Sequence, residues 1–400
     1  MNRSVIVSLW LVMILGCLTT ASCANAPNDE WSVERVVMLM RHGVRPPTGS
    51  PPVPSDVVPE AWPRWDVPLG HLTSHGAAAV KLLAASDARR FVGQGLLPAS
   101  GCPSPGAVLV KSNSKQRTIA TAENYASMLA PNCALTVEHV PEGVKDPMFA
   151  SYADAGLSAA AAQQAVADEM GPQGIDGVVQ RSRPGFEAVA SMVCGSSDKA
   201  CAPNEIPSTV VINKTGSEMP DFSGALEYGA DIASVVMLEY AEGKPMSEVG
   251  WGRATPETIE KAGALHAAKY ALIARPRPLA FANSGKIVDR MVQSLYDGPR
   301  VTTLVGHDDQ IINVAGLLDV HWHVPGIAAD DVGPAGAIVF EALGNKAGDK
   351  AVRSYYRSQT LDQIRTLSDG DATWVELSPP GCAGQSPCPL GTFAALLSPP

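Results

Sequence analysis

The sequence lacks several things that would place it at once. It has no internal repeat, no heptad pattern and no long low-complexity segment, so solenoids and extended coiled coils are excluded. It has no run or stripe of Lys and Arg. Thirty basic residues face 40 acidic ones, for a formal charge of −10, and a nucleic-acid partner is not expected. Beyond the first residues, no apolar run approaches the length that crosses a bilayer. No Cys-x-x-Cys pair occurs among its eight cysteines, which argues against a zinc site.

What is present begins with a leader. Residues 1–26 read as a signal peptide: Arg3 gives a positive start, residues 5–15 form a short apolar core, and Ala24-x-Ala26 is a small-residue cleavage site. The competing reading is a lipoprotein anchored at Cys17, because Ile14-Leu15-Gly16-Cys17 loosely resembles a lipobox. Either way the expected location is periplasmic or secreted. Cys102, Cys133, Cys194, Cys201, Cys382 and Cys388 remain after the leader, and an even number in an exported chain suggests disulfides. Sequence alone does not choose their pairing. The remaining length is enough for a large core and two lobes.

Chemistry concentrates in two places. Residues 36–40 are a continuous apolar run, as expected of a strand buried on both faces. The run leads into Arg41-His42-Gly43-Val44-Arg45-Pro46-Pro47-Thr48, where glycine and prolines break it. Open α/β sheets place ligands at such carboxyl ends. Two guanidiniums four apart can fork onto one phosphate, and an imidazole between them is a nucleophile available near neutral pH. Gly43 would let the backbone approach the ligand. Alone, the stretch could equally be a surface turn. A second strand-like run, residues 301–305, leads into Gly306-His307-Asp308-Asp309, about 265 residues after His42.

Together these motifs resemble the histidine acid phosphatases, branch 2 of the histidine phosphatase superfamily, which includes bacterial phytases and glucose-1-phosphatases. The resemblance implies an α/β fold: a phosphoglycerate-mutase-like three-layer α/β sandwich with an inserted, mostly helical cap domain. Residues 27–131 and 254–400 would form the discontinuous catalytic domain, and residues 132–253 the cap that selects substrate. His42 would be the nucleophile and Asp308, held protonated, the general acid and base. Arg41, Arg45, Arg117, His307 and Thr48 would hold the phosphate, the first three and His307 as cations. No cofactor or metal is implied. The expected partner is a small phosphomonoester, and the expected state a monomer. Relatives pair cysteines as nearest neighbours: Cys102–Cys133, Cys194–Cys201 and Cys382–Cys388.

The chain also departs from the family pattern. Gln116 stands where relatives carry Glu before the third arginine. Gly49 replaces a lysine typical of phytase-like members, which removes a contact to a highly charged substrate. Asp309 follows Asp308 where relatives have a hydroxyl residue, and would raise the Asp308 pKa or repel polyphosphates. The favoured activity is a broad acid phosphatase that hydrolyses phytate. Glucose-1-phosphatase is the alternative, followed by a phosphomutase and a non-catalytic phosphate-binding protein.

Coarser readings complete the expectation. A helix follows Leu72-Thr73-x-x-Gly76, another opens at Arg117, and Thr255-Pro256-Glu257 starts a third. His266 lies on the apolar face of that third helix and reads as a satisfied core histidine. A further helix is expected over residues 284–295, one over 311–318, a strand near 337–341 and edge strands over 354–377. His71 and His75 read as capping or packing residues, and Asn213-Lys214-Thr215 as a chance sequon.

Overall fold

The run at residues 36–40 becomes the middle of a ten-residue strand, β1 (Ser32–Arg41), whose side chains alternate between two cores. The computed structural model describes residues 31–194 and 205–399. The leader, Cys17 and Cys201 lie outside the described residues. Val36, Met38 and Met40 pack on one side against Val80, Leu83 and Phe91 of α1 (Ser74–Gly93) and Tyr125 of α2 (Gln116–Leu129). Val37 and Leu39 point to the other side. Both faces are covered, so no polar alternation survives in the sequence.

Among the described residues nine more strands follow: β2 (Val108–Ser112), β3 (Val137–Glu138), β4 (Thr209–Val211), β5 (Asp221–Ser223), β6 (Val301–Gly306), β7 (Ala337–Gly344), β8 (Lys350–Ser358), β9 (Thr373–Leu377) and β10 (Cys388–Pro389). The main sheet runs β10-β8-β7-β1-β6-β2-β3, with β9 also on β8; β4 and β5 form a separate hairpin. β6 lies parallel between β1 and β2, with Arg41 opposite Gly306 and Ser112 opposite Val305. Three loops therefore leave the sheet side by side at one carboxyl edge, and they carry Arg41 to Thr48, Asn113 to Arg117, and His307-Asp308.

The remaining helices are α3 (Ala159–Met170), α4 (Gly174–Arg181), α5 (Arg183–Cys194), α6 (Ala225–Ala241), α7 (Pro256–Ile273), α8 (Arg277–Asp297), α9 (Asp308–Leu318), α10 (Leu361–Thr366) and α11 (Leu390–Leu396). α8 and α9 cover the second face of β1, and the core there continues into Phe186 of α5 and Val236 of α6. The three layers expected from the motifs are present. No described helix is long and apolar enough to cross a membrane.

Several boundaries differ from the sequence reading. α8 starts at Arg277 rather than residue 284, because Pro276 serves as its N-cap and Pro278 fits its first turn. β8 is not an edge strand. It pairs with β7 along one side and with β9 and β10 along the other, so the edge falls to those two. β3 pairs with β2, so the sheet reaches past residue 131. Gly43 serves packing: a Cβ there would lie 2.9 Å from Leu72 Cδ1 and 3.0 Å from Val80 Cγ2. The Cys102–Cys133 and Cys382–Cys388 bridges are formed. The expected Cys194–Cys201 bridge involves a residue outside those described.

One buried acid links the fold to pH. Glu239 on α6 is 1% exposed, and one carboxylate oxygen accepts from Gly250 N–H at 3.0 Å while the other has no partner. Burial pushes its pKa from 4.5 up to about 7. The folded chain then binds this proton across a window where the unfolded chain has released it. Stability therefore falls as pH rises between those two values and levels off above them. Glu239→Gln should remove about 3 kcal/mol of that fall. Thermal melts of both proteins on either side of the window measure it, and an unchanged slope would refute the assignment.

Candidate active site

Backbone bonds fix the first motif before any side chain acts. Arg41 N–H donates to Gly336 O at 2.9 Å, His42 N–H to Gly306 O at 3.1 Å, and Ala335 N–H to His42 O at 3.0 Å. The segment after β1 is thus held from β6 on one side and from the loop before β7 on the other. Gly43 N–H donates to Thr121 Oγ1 on α2 at 3.0 Å.

The His42 ring is 1% exposed, and its tautomer can be read from its partners. Nδ1 lies 2.8 Å from Gly43 O. A carbonyl only accepts, so Nδ1 carries the proton. Nε2 keeps its lone pair and faces Arg45 Nε at 3.4 Å. Burial, then Arg45, Arg117, Arg41 and His307, hold the His42 pKa well below its ordinary value. His42 is neutral, and its Nε2 lone pair accepts only a long hydrogen bond from Arg45 Nε–H.

Arg41 is fully buried. Nη1 donates to Val332 O, and Nη2 lies 2.7 Å from Asp308 Oδ2. Arg45 is lowered to about 10 by burial and by Arg41 and Arg117, and it stays a cation. Arg117, in the first turn of α2, is lowered by burial. Its Nε is buried without a protein partner. Gln116 does not replace the missing ion pair; it accepts from Leu72 N–H at 2.9 Å and so ties α2 to the segment before α1. Thr48 is exposed at the rim. A Cβ on Gly70 would lie 3.4 Å from Thr48 Cγ2 and 3.6 Å from Arg117 Nη1, which places these residues together.

His307 and Asp308 arrive from β6, with His307 as the N-cap of α9 and Asp308 as its first residue. The ring centroids of His42 and His307 are 5.6 Å apart. Burial and Arg117 push His307 down to about 3, so it is a neutral donor, not the fourth cation expected from the motif. Asp308 also departs from expectation. Burial raises its pKa, but Arg41 first and then His266 outweigh that and hold it well below the usual carboxylate range. The carboxyl is ionised, not protonated. Asp309 does not raise its neighbour. It is itself raised to about 6 by burial and by Asp308, and accepts from Asn283 Nδ2 at 2.8 Å.

Three contributors escaped the sequence reading. Asn113 Nδ2 lies 3.0 Å from His307 Nε2. Its place just past β2 was the available signal, since ligands collect at such ends. The loop at 331–336 binds Arg41 through Val332 O and His42 through Ala335 N–H, and no motif marks it. His266 is more than a core histidine. Nδ1 lies 2.8 Å from Asp331 Oδ1, and Nε2 lies 3.8 Å from Asp308 Oδ2. His75 keeps its packing role, with Nε2 2.8 Å from Ile364 O.

Beside His266 the wall turns acidic. Lys269, one turn on, lies 2.5 Å from Glu227 Oε2 and 3.0 Å from Asp221 Oδ1. Burial raises Glu227 to about 7 and also raises Asp231, which lies close enough to His266 and Arg45 to feel their charge. Three carboxyls thus share one ammonium on the α6–α7 side. Among the described residues no group of three or more His, Cys, Asp or Glu is arranged to hold a metal ion.

Comparison with known proteins agrees with this geometry. The family described as the histidine phosphatase superfamily (branch 2) matches residues 32–170. The chain is 30% identical to phytase AppA of Escherichia coli (strain K12), over 91% of this chain and 88% of that one. It is 27% identical to a glucose-1-phosphatase of Salmonella typhimurium, over 96% and 97% of the two chains. The structure of Hafnia alvei phytase in complex with tartrate superposes with a TM-score of 0.85 at 31% identity, covering 93% of this chain and 97% of the other.

Proposed function

The chain belongs to branch 2 of the histidine phosphatase superfamily and is a phosphomonoester hydrolase, and from that premise we propose how its residues carry out the reaction. The observation that carries the reading is the lone pair of His42 Nε2, unprotonated and held only by a long hydrogen bond from Arg45 Nε–H, with Arg41–Asp308 and His307 around it. His42 Nε2 attacks phosphorus in line and forms an N–P bond while the ester P–O bond breaks. Arg41, Arg45 and Arg117 neutralise charge on the transferring oxygens, and His307 adds a neutral N–H. Thr48 borders the mouth. Asp308 protonates the leaving alkoxide, then takes a proton from the water that cleaves the N–P bond and releases inorganic phosphate.

The ionised state of Asp308 sets a requirement on this sequence. Its proton must come with the substrate. A phosphomonoester monoanion carries one below its second ionisation, near about pH 6. As the phosphoryl group takes over Arg41, the carboxylate loses its partner and becomes basic enough to accept that proton. We take the part of residues 132–253 beyond β3 as the cap over this site, the protein as exported and monomeric, and phytate as a substrate alongside simpler esters. Names of the relatives support that last point.

A second reading, a preference for sugar monophosphates, is favoured by the acidic wall of Asp221, Glu227 and Asp231, which engages the ammonium of Lys269 and so leaves it unavailable to phosphates beyond the one in the cage. Phosphate release from p-nitrophenyl phosphate, glucose 1-phosphate and phytate in acidic buffer tests both. The acidic wall predicts a kcat/KM for glucose 1-phosphate several-fold above that for phytate. The reverse order returns the assignment to phytate. No release from any of the three would overturn the hydrolytic mechanism.

A further inference from the structure

We propose that Asn113 is a positioning residue that keeps His307 a neutral, Nδ1-protonated donor within the phosphate cage. The inference rests on the phosphatase reading of the site but is tested apart from it. Asn113 is 8% exposed and follows directly on β2. Its Oδ1 is already engaged: Ser114 N–H donates to it at 2.5 Å and Ser114 Oγ lies 3.2 Å away. The backbone N–H on the oxygen can only donate and fixes which way the amide is turned, so the group facing His307 is the NH₂. Its nitrogen lies 3.0 Å from His307 Nε2.

An NH₂ has no lone pair to offer. Nε2 must therefore accept, and the ring proton stays on Nδ1. Protonating Nε2 would set an N–H against an N–H in a buried site and forfeit the bond. The other groups around the ring push the same way. Arg117 of α2 and Arg45 and Arg41 of the β1 segment all disfavour an imidazolium, and Asp308 on its own helix favours one. Asp308 is committed to Arg41 at 2.7 Å. A neutral His307 can still give a hydrogen bond to a phosphoryl oxygen. It also spares the His42 lone pair a further positive charge at 5.6 Å between ring centroids.

Nitrogen NMR of histidine-labelled protein reads the tautomer directly, with His307→Gln identifying the resonance. In the wild-type protein His307 should show a protonated Nδ1 and an unprotonated Nε2 across about pH 5 to 7, the range where an ordinary histidine titrates. Asn113→Asp replaces the donor by an acceptor, and His307 should then become an imidazolium in that range. Asn113→Ala, which removes the donor without adding charge, should give a mixture of tautomers. A wild-type His307 protonated on Nε2 overturns the proposal. So does an unchanged signal in either variant that keeps its fold. An inactive wild-type protein with the expected tautomer would count against the phosphatase mechanism and leave this assignment standing.

Discussion

His42→Ala is expected to lower kcat on the order of 10⁴-fold or more, since removing a nucleophile eliminates the covalent route and not just a contact. The substitution should leave the cage able to bind phosphate. Arg41 is anchored to Val332 O and Asp308, and Arg117 is held on α2, independently of the imidazole. Inorganic phosphate should therefore still protect the variant against thermal unfolding, and its circular dichroism should match that of the wild type. The ring lost is buried, so some decrease in Tm is expected. Activity within tenfold of wild type would remove His42 from the mechanism.

The second large effect is at Asp308, and it depends on the leaving group. Asp308→Asn keeps the shape but removes the proton donor, with a loss of roughly 10²- to 10⁴-fold on an alkyl ester such as a sugar phosphate. Read as kcat/KM, which reports phosphoryl transfer to His42 and not the later hydrolysis, the loss on p-nitrophenyl phosphate should be far smaller, because a nitrophenolate departs with little help. The pH dependence has a definite sign. Arg41 and His266 hold the carboxyl ionised, whereas the first step needs it protonated. Wild-type kcat/KM on the sugar phosphate therefore rises as pH falls and is lost as pH rises through the second ionisation of the ester. In Asp308→Asn that dependence should flatten. Equal losses on both esters would show that Asp308 acts on binding and not on the leaving group.

Much of this arrangement could be read from residues alone, for identifiable reasons. β1 was legible because both its faces are buried, which leaves five apolar residues in a row before a sharp break. The helix at Pro256 was legible because the cap is local: Thr255 Oγ1 accepts from Thr258 N–H at 3.2 Å. His42, Arg41 and Arg45 are neighbours in sequence, so their company needed no fold to predict it.

Contacts that depend on the third dimension were not legible. His266 looked like a core residue because its helical face is apolar, yet that face ends against Asp308, some forty residues later. Asn113 gains its meaning only when β2 and β6 lie side by side. Ionisation was also hidden. Two adjacent aspartates look alike in sequence, but Asp308 meets Arg41 while Asp309 meets uncharged donors, among them the amide of Asn283, and their pKa values move in opposite directions. The position of β8 inside the sheet was concealed because its outer neighbours, β9 and β10, are short and each covers only part of it.

The most direct test of the central claim is to trap the phosphorylated enzyme. Rapid mixing with a radiolabelled phosphomonoester, followed by a quench in alkali that preserves phosphohistidine, and peptide mapping would locate the phosphoryl group. The account predicts label on the peptide containing His42, formed faster than steady-state turnover, and none in His42→Ala. Label on His307 or on a carboxylate, or full turnover with no covalent label under conditions that preserve phosphohistidine, would contradict it.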